Sequence, residues 1–248
     1  MPLEFKAKTD LGLVRKNNED AWLIEEKSGL FMIADGLGGA NAGEVASTMA
    51  LDVIAENFSQ SENLIASILS ANDMIFEASR SSAQYKGMGT TVVACVIHKD
   101  VYTIAWVGDS RLYMVRNKQI QPLTTDHSIV QEQITKGLIT SESAKTVHYK
   151  NVLTRALGVD HTVEPGCIDI PAMNDDFLVL CSDGLHGMIS DAEILEIVLA
   201  QGNPAAICGE LIAQANKAGG RDNCTVIVIH YTSGVPVKKK MKNSYLIM

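Results

Sequence analysis

Four aspartates stand at the edges of apolar runs. The run 30–34 ends in Asp35-Gly36, the run 102–107 in Gly108-Asp109, and the run 177–181 in Ser182-Asp183-Gly184. Asp222, in Arg221-Asp222-Asn223, leads into the apolar run 224–229. A carboxylate at the mouth of a buried strand is costly unless something positive neutralises it. Four in equivalent places, far apart in sequence, point to convergence on hard cations. Aspartate without a competing His or Cys cluster is the donor type of Mg²⁺ or Mn²⁺. The histidines at 98, 127, 148, 161, 186 and 230 form no His-x-x-x-His pair of the kind zinc would use. Gly36 leaves room for its own carbonyl to approach a metal. One Asp-Gly is an ordinary turn; the set, with its matching apolar leads, favours the metal.

Two such ions about 4 Å apart would lower the pKa of a bridging water and screen the oxygens of an in-line displacement. That chemistry suits phosphoester hydrolysis, which also needs a donor to grip the phosphate. Arg15 is the candidate, because a guanidinium fork matches phosphate oxygens in two-point contact. Glu19-Asp20 follow it and enter a strand.

The elements that must position these residues come in blocks. Residues 4–9, 20–25 and 30–34 read as strands broken by Gly12 and Gly29. Residues 42–58 switch to helical period, with Ala42, Val45, Ala46, Met49, Ala50, Val53 and Ile54 on one face, Asn41 as cap and Glu44 returning its bond. A second helix is expected at about 62–80. Residues 91–97, 101–107, 111–116 and 119–123 are strand candidates. The turns His98-Lys99-Asp100 and Asn117-Lys118 suggest antiparallel neighbours. An irregular insert and a further strand follow. Ser190 with Glu193 then forms a capping box for a helix at about 191–200, and Asn203-Pro204 opens another at about 204–217, which Gly219-Gly220 stops. Helix pairs between blocks of antiparallel strands do not follow a βαβ alternation. Two packed sheets with helix pairs outside them is the economical solution.

The chain has 248 residues, 46% hydrophobic and 20% charged, with net charge −8. One large domain fits that length, and the acidic balance argues against a nucleic-acid partner. The five cysteines (95, 167, 181, 208, 224) are odd in number and contain no Cys-x-x-Cys. Three lie in apolar runs, as buried thiols of a reducing compartment would. No apolar stretch is long enough for a membrane span, and the N-terminus lacks a signal peptide's apolar core. A cytoplasmic monomer is the expectation. Residues 233–248, with Lys238-Lys239-Lys240-Met241-Lys242, read as a solvated basic tail.

Seven motifs occur in order: Arg15-x-x-x-Glu19-Asp20, Ala34-Asp35-Gly36-Leu37-Gly38-Gly39, Gly89-Thr90-Thr91, Val107-Gly108-Asp109-Ser110-Arg111, Leu153-Thr154-Arg155-Ala156-Leu157-Gly158, Ser182-Asp183-Gly184 and Gly220-Arg221-Asp222-Asn223. Over roughly residues 5–231 the chain resembles the type 2C (PPM) family of metal-dependent Ser/Thr protein phosphatases in its compact bacterial form. The resemblance implies an α+β fold, a four-layer α/β/β/α sandwich of two antiparallel sheets flanked by helix pairs. It implies one catalytic domain at 1–232 with a mobile flap at about 127–152. Asp35 would bridge two Mn²⁺ or Mg²⁺ ions, Gly36 would offer its carbonyl, and Asp183 and Asp222 would complete the first site. Glu19 and Asp20 would serve the second ion, and Asp109, shared with Asp183, a weaker third. Arg15 would hold the substrate phosphate, and a cognate Ser/Thr kinase would be a partner alongside phosphorylated Ser/Thr proteins.

Leu37 departs from many eukaryotic members, which carry a proposed general acid, His, at that position. Leu cannot donate a proton, so another group or a metal-bound water must do so. Bacterial relatives also tend to have an apolar residue there. Other phosphatase chemistries fail: no Cys is followed by Arg six positions on, and no Asp-x-Asp-x-Thr/Val occurs. Asp126-His127-Ser128 contains triad residue types, but adjacent side chains diverge and no Gly-x-Ser-x-Gly elbow exists. A catalytically silent phosphoprotein- or kinase-binding module is the alternative; it would be favoured by loss of Asp35, Asp183 or Asp222, and all three are present.

Overall fold

The apolar runs of this chain are nearly continuous rather than alternating, which requires strands covered on both faces. The computed structural model, which describes residues 3–38, 42–144, 147–149 and 151–232, shows how both faces are covered. One sheet has the order β1 (Leu3–Asp10), β11 (Cys224–Tyr231), β10 (Asp176–Cys181), β7 (Arg111–Arg116), β8 (Gln119–Pro122). The other runs β2 (Asp20–Glu25), β3 (Leu30–Leu37), β5 (Val92–His98), β6 (Val101–Val107), β9 (Gly166–Pro171), with the short β4 (Gly89–Thr90) paired to β3. Every pairing is antiparallel.

Alternation along each strand then sorts side chains between layers. In β3, Leu30, Met32 and Ala34 face helices α1 (Ala42–Ser61) and α2 (Leu64–Ser81), while Phe31 and Ile33 face the opposite sheet. In β11, Val226 and Val228 pack toward α6 (Asp191–Gln201) and α7 (Pro204–Lys217), while Ile227 and Ile229 point between the sheets. Three apolar layers therefore separate four structural ones, the α+β sandwich expected.

The capping box at Ser190–Glu193 and the Asn203-Pro204 start are both present, and α2 is capped by Asn63. The Asn41 cap, Gly39 and the basic tail lie outside the described residues. Two readings change. The strands 101–107 and 111–116 are not neighbours: β6 and β7 belong to different sheets, and residues 108–110 carry the chain across. The insert is not wholly irregular either, since it contains α3 (Ile129–Thr135) and α4 (Ser141–Ala144). Four further elements lie outside the sequence reading: a one-turn helix at Ala83–Tyr85, β4, β9, whose exposed positions include polar Asp169, and the four-residue α5 (Asp183–His186).

The inter-sheet layer should dominate stability. Ile227 is fully buried within it, so Ile227→Ala should cost about 2–5 kcal/mol. The measurement is the urea midpoint at unchanged m-value.

Candidate metal centre

Two crossings between the sheets and two connections within one sheet meet at one end of the sandwich. Residues 11–19 lead from β1 to β2 and residues 108–110 from β6 to β7, while α5 follows β10 and residues 218–223 lead into β11. These segments carry Arg15, Glu19, Asp109, Asp183 and Asp222. Asp20 opens β2 directly opposite Asp35 in β3, so both carboxylates lie on one face. Like charges so placed repel.

Hydrogen bonds fix the backbone beneath them. Asp35 donates its N–H to Thr91 Oγ1 (3.0 Å), and its carbonyl accepts from Thr91 N–H (2.9 Å) and Thr90 Oγ1 (2.9 Å). Asn223, buried, accepts the Glu19 N–H at Oδ1 (2.9 Å) and donates from Nδ2 to the carbonyls of Leu11 (3.0 Å) and Asn17 (2.9 Å). That single side chain sets the 11–19 crossing against the start of β11. Asp20 Oδ2 accepts from Ser182 Oγ (2.8 Å) and Thr225 Oγ1 (2.7 Å). Gly36 donates to the Glu19 carbonyl (3.1 Å), and a Cβ there would collide with the Gly43 carbonyl, so only glycine allows α1 to approach β3 this closely.

The electrostatics follow from crowding half-buried carboxylates. Burial holds Asp35 well above the ordinary carboxylate range, reinforced by Asp20, Asp183, Asp109 and Asp222. Burial, then Asp183, pushes Asp109 up to about 8. Asp20 rises to about 7 through burial, against the pull of its two hydroxyl donors. Burial and then Asp222 raise Asp183 to about 6, and burial raises Glu19. Arg111 pulls Asp109 the other way, and at the rim Arg15 Nη2 lies 2.6 Å from Asp222 Oδ2, with half of the Arg15 side chain still exposed.

Among the described residues no three His, Cys, Asp or Glu side chains form a closed metal-ligand set; Asp222 turns to Arg15 and Asp20 to two hydroxyls. The donor chemistry nonetheless fits a hard divalent cation. All the side-chain donors are oxygens, and the pKa values of Asp35, Asp109 and Asp183 are raised in part by mutual repulsion that such a cation would remove. The structure brings Asp20, Asp35, Asp109, Asp183 and Asp222 into electrostatic contact. Arg15 and Glu19 sit at the rim, and half-buried Leu37 follows Gly36 in β3. Asn223, Thr90 and Thr91 were visible in the motifs, but their work as backbone supports was not. Ser47, whose Oγ donates to the Glu19 carbonyl (2.7 Å), and Thr225 were missed. The only signal for Thr225 is a hydroxyl inside an apolar run. A cavity of about 320 Å³ lined by Thr154, Arg155, Asp160, Thr162 and Glu164 lies apart from Asp20, Asp35, Asp109, Asp183 and Asp222, none of which lines it.

Comparison with known proteins gives one consistent result. Residues 14–206 match the family described as Protein phosphatase 2C. The serine/threonine phosphatase stp of Listeria monocytogenes is 37% identical over 242 residues, covering 92% of this chain and 95% of its own. The protein phosphatase PhpP of Streptococcus pneumoniae is 32% identical over 238 residues, covering 92% and 97%. Among solved structures, the Mycobacterium tuberculosis serine/threonine phosphatase PstP/Ppp superposes with TM-score 0.87 at 34% identity, covering 93% of this chain and 99% of that one. The PstP catalytic domain in complex with two manganese ions gives 0.84 at 34% identity, with the same coverage.

Crowded carboxylates should destabilise the metal-free fold. At pH 7.5 in EDTA, Asp35→Asn should raise the melting temperature, by roughly 2–4 °C per kcal/mol of repulsion removed. Added Mn²⁺ should reverse the ranking, raising the wild type more than the variant. Thermal unfolding with and without Mn²⁺ reads both signs.

Proposed function

The chain belongs to the protein phosphatase 2C family, and on that premise we propose that its cluster of strand-end carboxylates is the catalytic centre. The enzyme is a metal-dependent protein-serine/threonine phosphatase using Mn²⁺ or Mg²⁺. The observation that carries the site assignment is the meeting of Asp20, Asp35, Asp109, Asp183 and Asp222 at one end of the sandwich, each crowded by others of the set.

In this reading Asp35, the Gly36 carbonyl, Asp183 and Asp222 would hold one ion, and Asp35 with Glu19 and Asp20 would hold a second. Asp109, with Asp183, offers a third position. The chemistry such ions would supply there is activation of water and screening of the phosphoryl charge. The protein's own contributions are separate. Arg15 is anchored by Asp222 on one side and exposed on the other, so its remaining N–H groups can take phosphate oxygens in a forked contact. Ser182 and Thr225 aim Asp20, and Thr90 and Thr91 fix the backbone of Asp35. Leu37 contributes no proton, so the leaving seryl or threonyl oxygen must receive one from elsewhere.

Residues 1–232 are read as one catalytic domain, with the segment 127–152 as the flap over the site. The proposed setting is a cytoplasmic monomer acting on phosphoproteins, among them a cognate Ser/Thr kinase. Among the described residues no helix is long and apolar enough to cross a membrane.

Hydrolysis of a phosphothreonine peptide should require Mn²⁺, stop in EDTA and be lost in Asp183→Asn. Equal rates in all three conditions would overturn the metal mechanism. Arg15→Ala should lower kcat/KM by about 10- to 100-fold, the worth of a charge-assisted hydrogen bond. Iodoacetamide should leave the rate unchanged, because the exposed Cys167 lies in β9 outside the carboxylate cluster and Cys95, Cys181, Cys208 and Cys224 are buried.

A further inference from the structure

The crossing 11–19 is fastened along its length. The Gly12 N–H donates to Asp10 Oδ1 (2.9 Å), and the Leu13 N–H to the Gly220 carbonyl (2.7 Å). Asp10 Oδ1 also accepts from Asn216 Nδ2 (3.0 Å), and Asn18 Nδ2 donates to Thr9 Oγ1 (2.8 Å). At Gly12, φ is +77° and a Cβ would collide with the Asp222 carbonyl, so only glycine lets the loop lie this close to residues 218–223. Asn223 holds the carbonyls of Leu11 and Asn17. The backbone is therefore pinned on both sides of residues 13–15.

A loop held this firmly still turns Leu13 and Val14 to solvent. They are 69% and 64% exposed, and among the described residues no large apolar side chain is more exposed than Leu13. They are also the only two exposed large apolar residues in that set that adjoin in sequence. Scattered apolar side chains on a surface are ordinary, but an adjoining pair on a rigid loop marks a surface built to be covered. Arg15 follows directly, anchored to Asp222 and half exposed. A chain whose phosphate is gripped by Arg15 is led past Val14 and Leu13. Consecutive Cα atoms are about 3.8 Å apart in the loop and in a bound peptide alike, so the residues beside a phosphorylated Ser or Thr come within reach of 14 and then 13. An aliphatic side chain there removes apolar surface from water on both partners. A charged one loses water and meets no opposite charge on those two side chains.

We propose that Leu13 and Val14 form an apolar shelf beside Arg15 that selects phosphoproteins with aliphatic side chains next to the phosphorylated residue. The occupant is the substrate chain itself: its phosphate complements the Arg15 guanidinium, and its flank complements two uncharged side chains. The shelf touches none of the reacting atoms, so it governs KM rather than kcat. The inference rests on the reading of Arg15 as the phosphate-gripping residue of a protein phosphatase.

The test uses the full chain with Mn²⁺ and two sets of phosphothreonine peptides. Each set carries leucine, alanine or glutamate at the two positions on one side of the phosphothreonine, and p-nitrophenyl phosphate serves as a substrate with no flank. On one of the two sides the wild type should favour leucine over glutamate by about tenfold in kcat/KM, the effect of partly burying one aliphatic side chain, and the difference should lie in KM. With Leu13→Ser and Val14→Thr together, that preference should shrink to about twofold. The ratio of kcat/KM on the leucine peptide to that on p-nitrophenyl phosphate should fall about tenfold. Leu13→Lys should turn the preference toward glutamate. All these positions are exposed, so the variants should fold as the wild type does. A wild type without preference, a preference unchanged in the double variant, or an equal loss on peptide and p-nitrophenyl phosphate would overturn the shelf and leave the phosphatase reading standing. A wild-type dimer that the double variant dissociates in sedimentation would also overturn it, since a second copy would then be the occupant. A wild type inactive on every substrate would overturn the phosphatase reading, and the shelf with it.

Discussion

Carboxylates gathered at the mouth of a sandwich repel one another, and this structure is organised around holding them there. Burial and neighbouring charge raise the pKa values of Asp20, Asp35, Asp109 and Asp183 together. A fold selected for stability alone would scatter such groups to the surface. Here the surrounding layers absorb the cost. Three apolar clusters and two antiparallel sheets give a rigid frame, and small polar side chains fix the crossings at one end. The repulsion is the feature that a divalent cation turns into affinity.

The frame explains why these residues need not be near in sequence. The crossing 11–19 brings Glu19 and leads into Asp20, the crossing 108–110 brings Asp109, and the connections after β10 and before β11, which leave and re-enter one sheet, bring Asp183 and Asp222 to the same end. Asn223 spans three backbone groups of the 11–19 crossing, and Ser182 and Thr225 share one oxygen of Asp20. At the opposite end Asp176 is fully satisfied by Arg116, Tyr102 and the Met173 N–H. That contrast separates a structural carboxylate from a functional one: Asp176 has donors around it, whereas Asp35 has mainly other acids.

Much of this was legible in the residues. Apolar runs ending in Asp marked the site because strands buried on both faces end abruptly, and the aspartate marks the end. Capping at Ser190 and Asn203 was legible because those bonds are local. The sheet crossing at 108–110 was not, since a short Gly-containing connection is compatible with a hairpin as well as a change of sheet. β9 was hidden because an edge strand that exposes Cys167, Ile168 and Asp169 in a row and ends in a proline lacks a buried strand's pattern. Ser47, Thr225 and the Gly108–His127 pairing escaped because they join residues that no sequence spacing relates. Recognition of the family supplied the division of labour among the acids; their crowding follows from the fold.

The central claim is that Asp35 sits between divalent cations that this end of the sandwich is built to hold. Anomalous diffraction at the manganese absorption edge, from crystals grown with Mn²⁺, tests it most directly. The account predicts manganese peaks on both sides of the Asp35 carboxylate, one of them also touching Asp183, Asp222 and the Gly36 carbonyl. Ordered manganese only elsewhere, with Asp35 touching none, would contradict it.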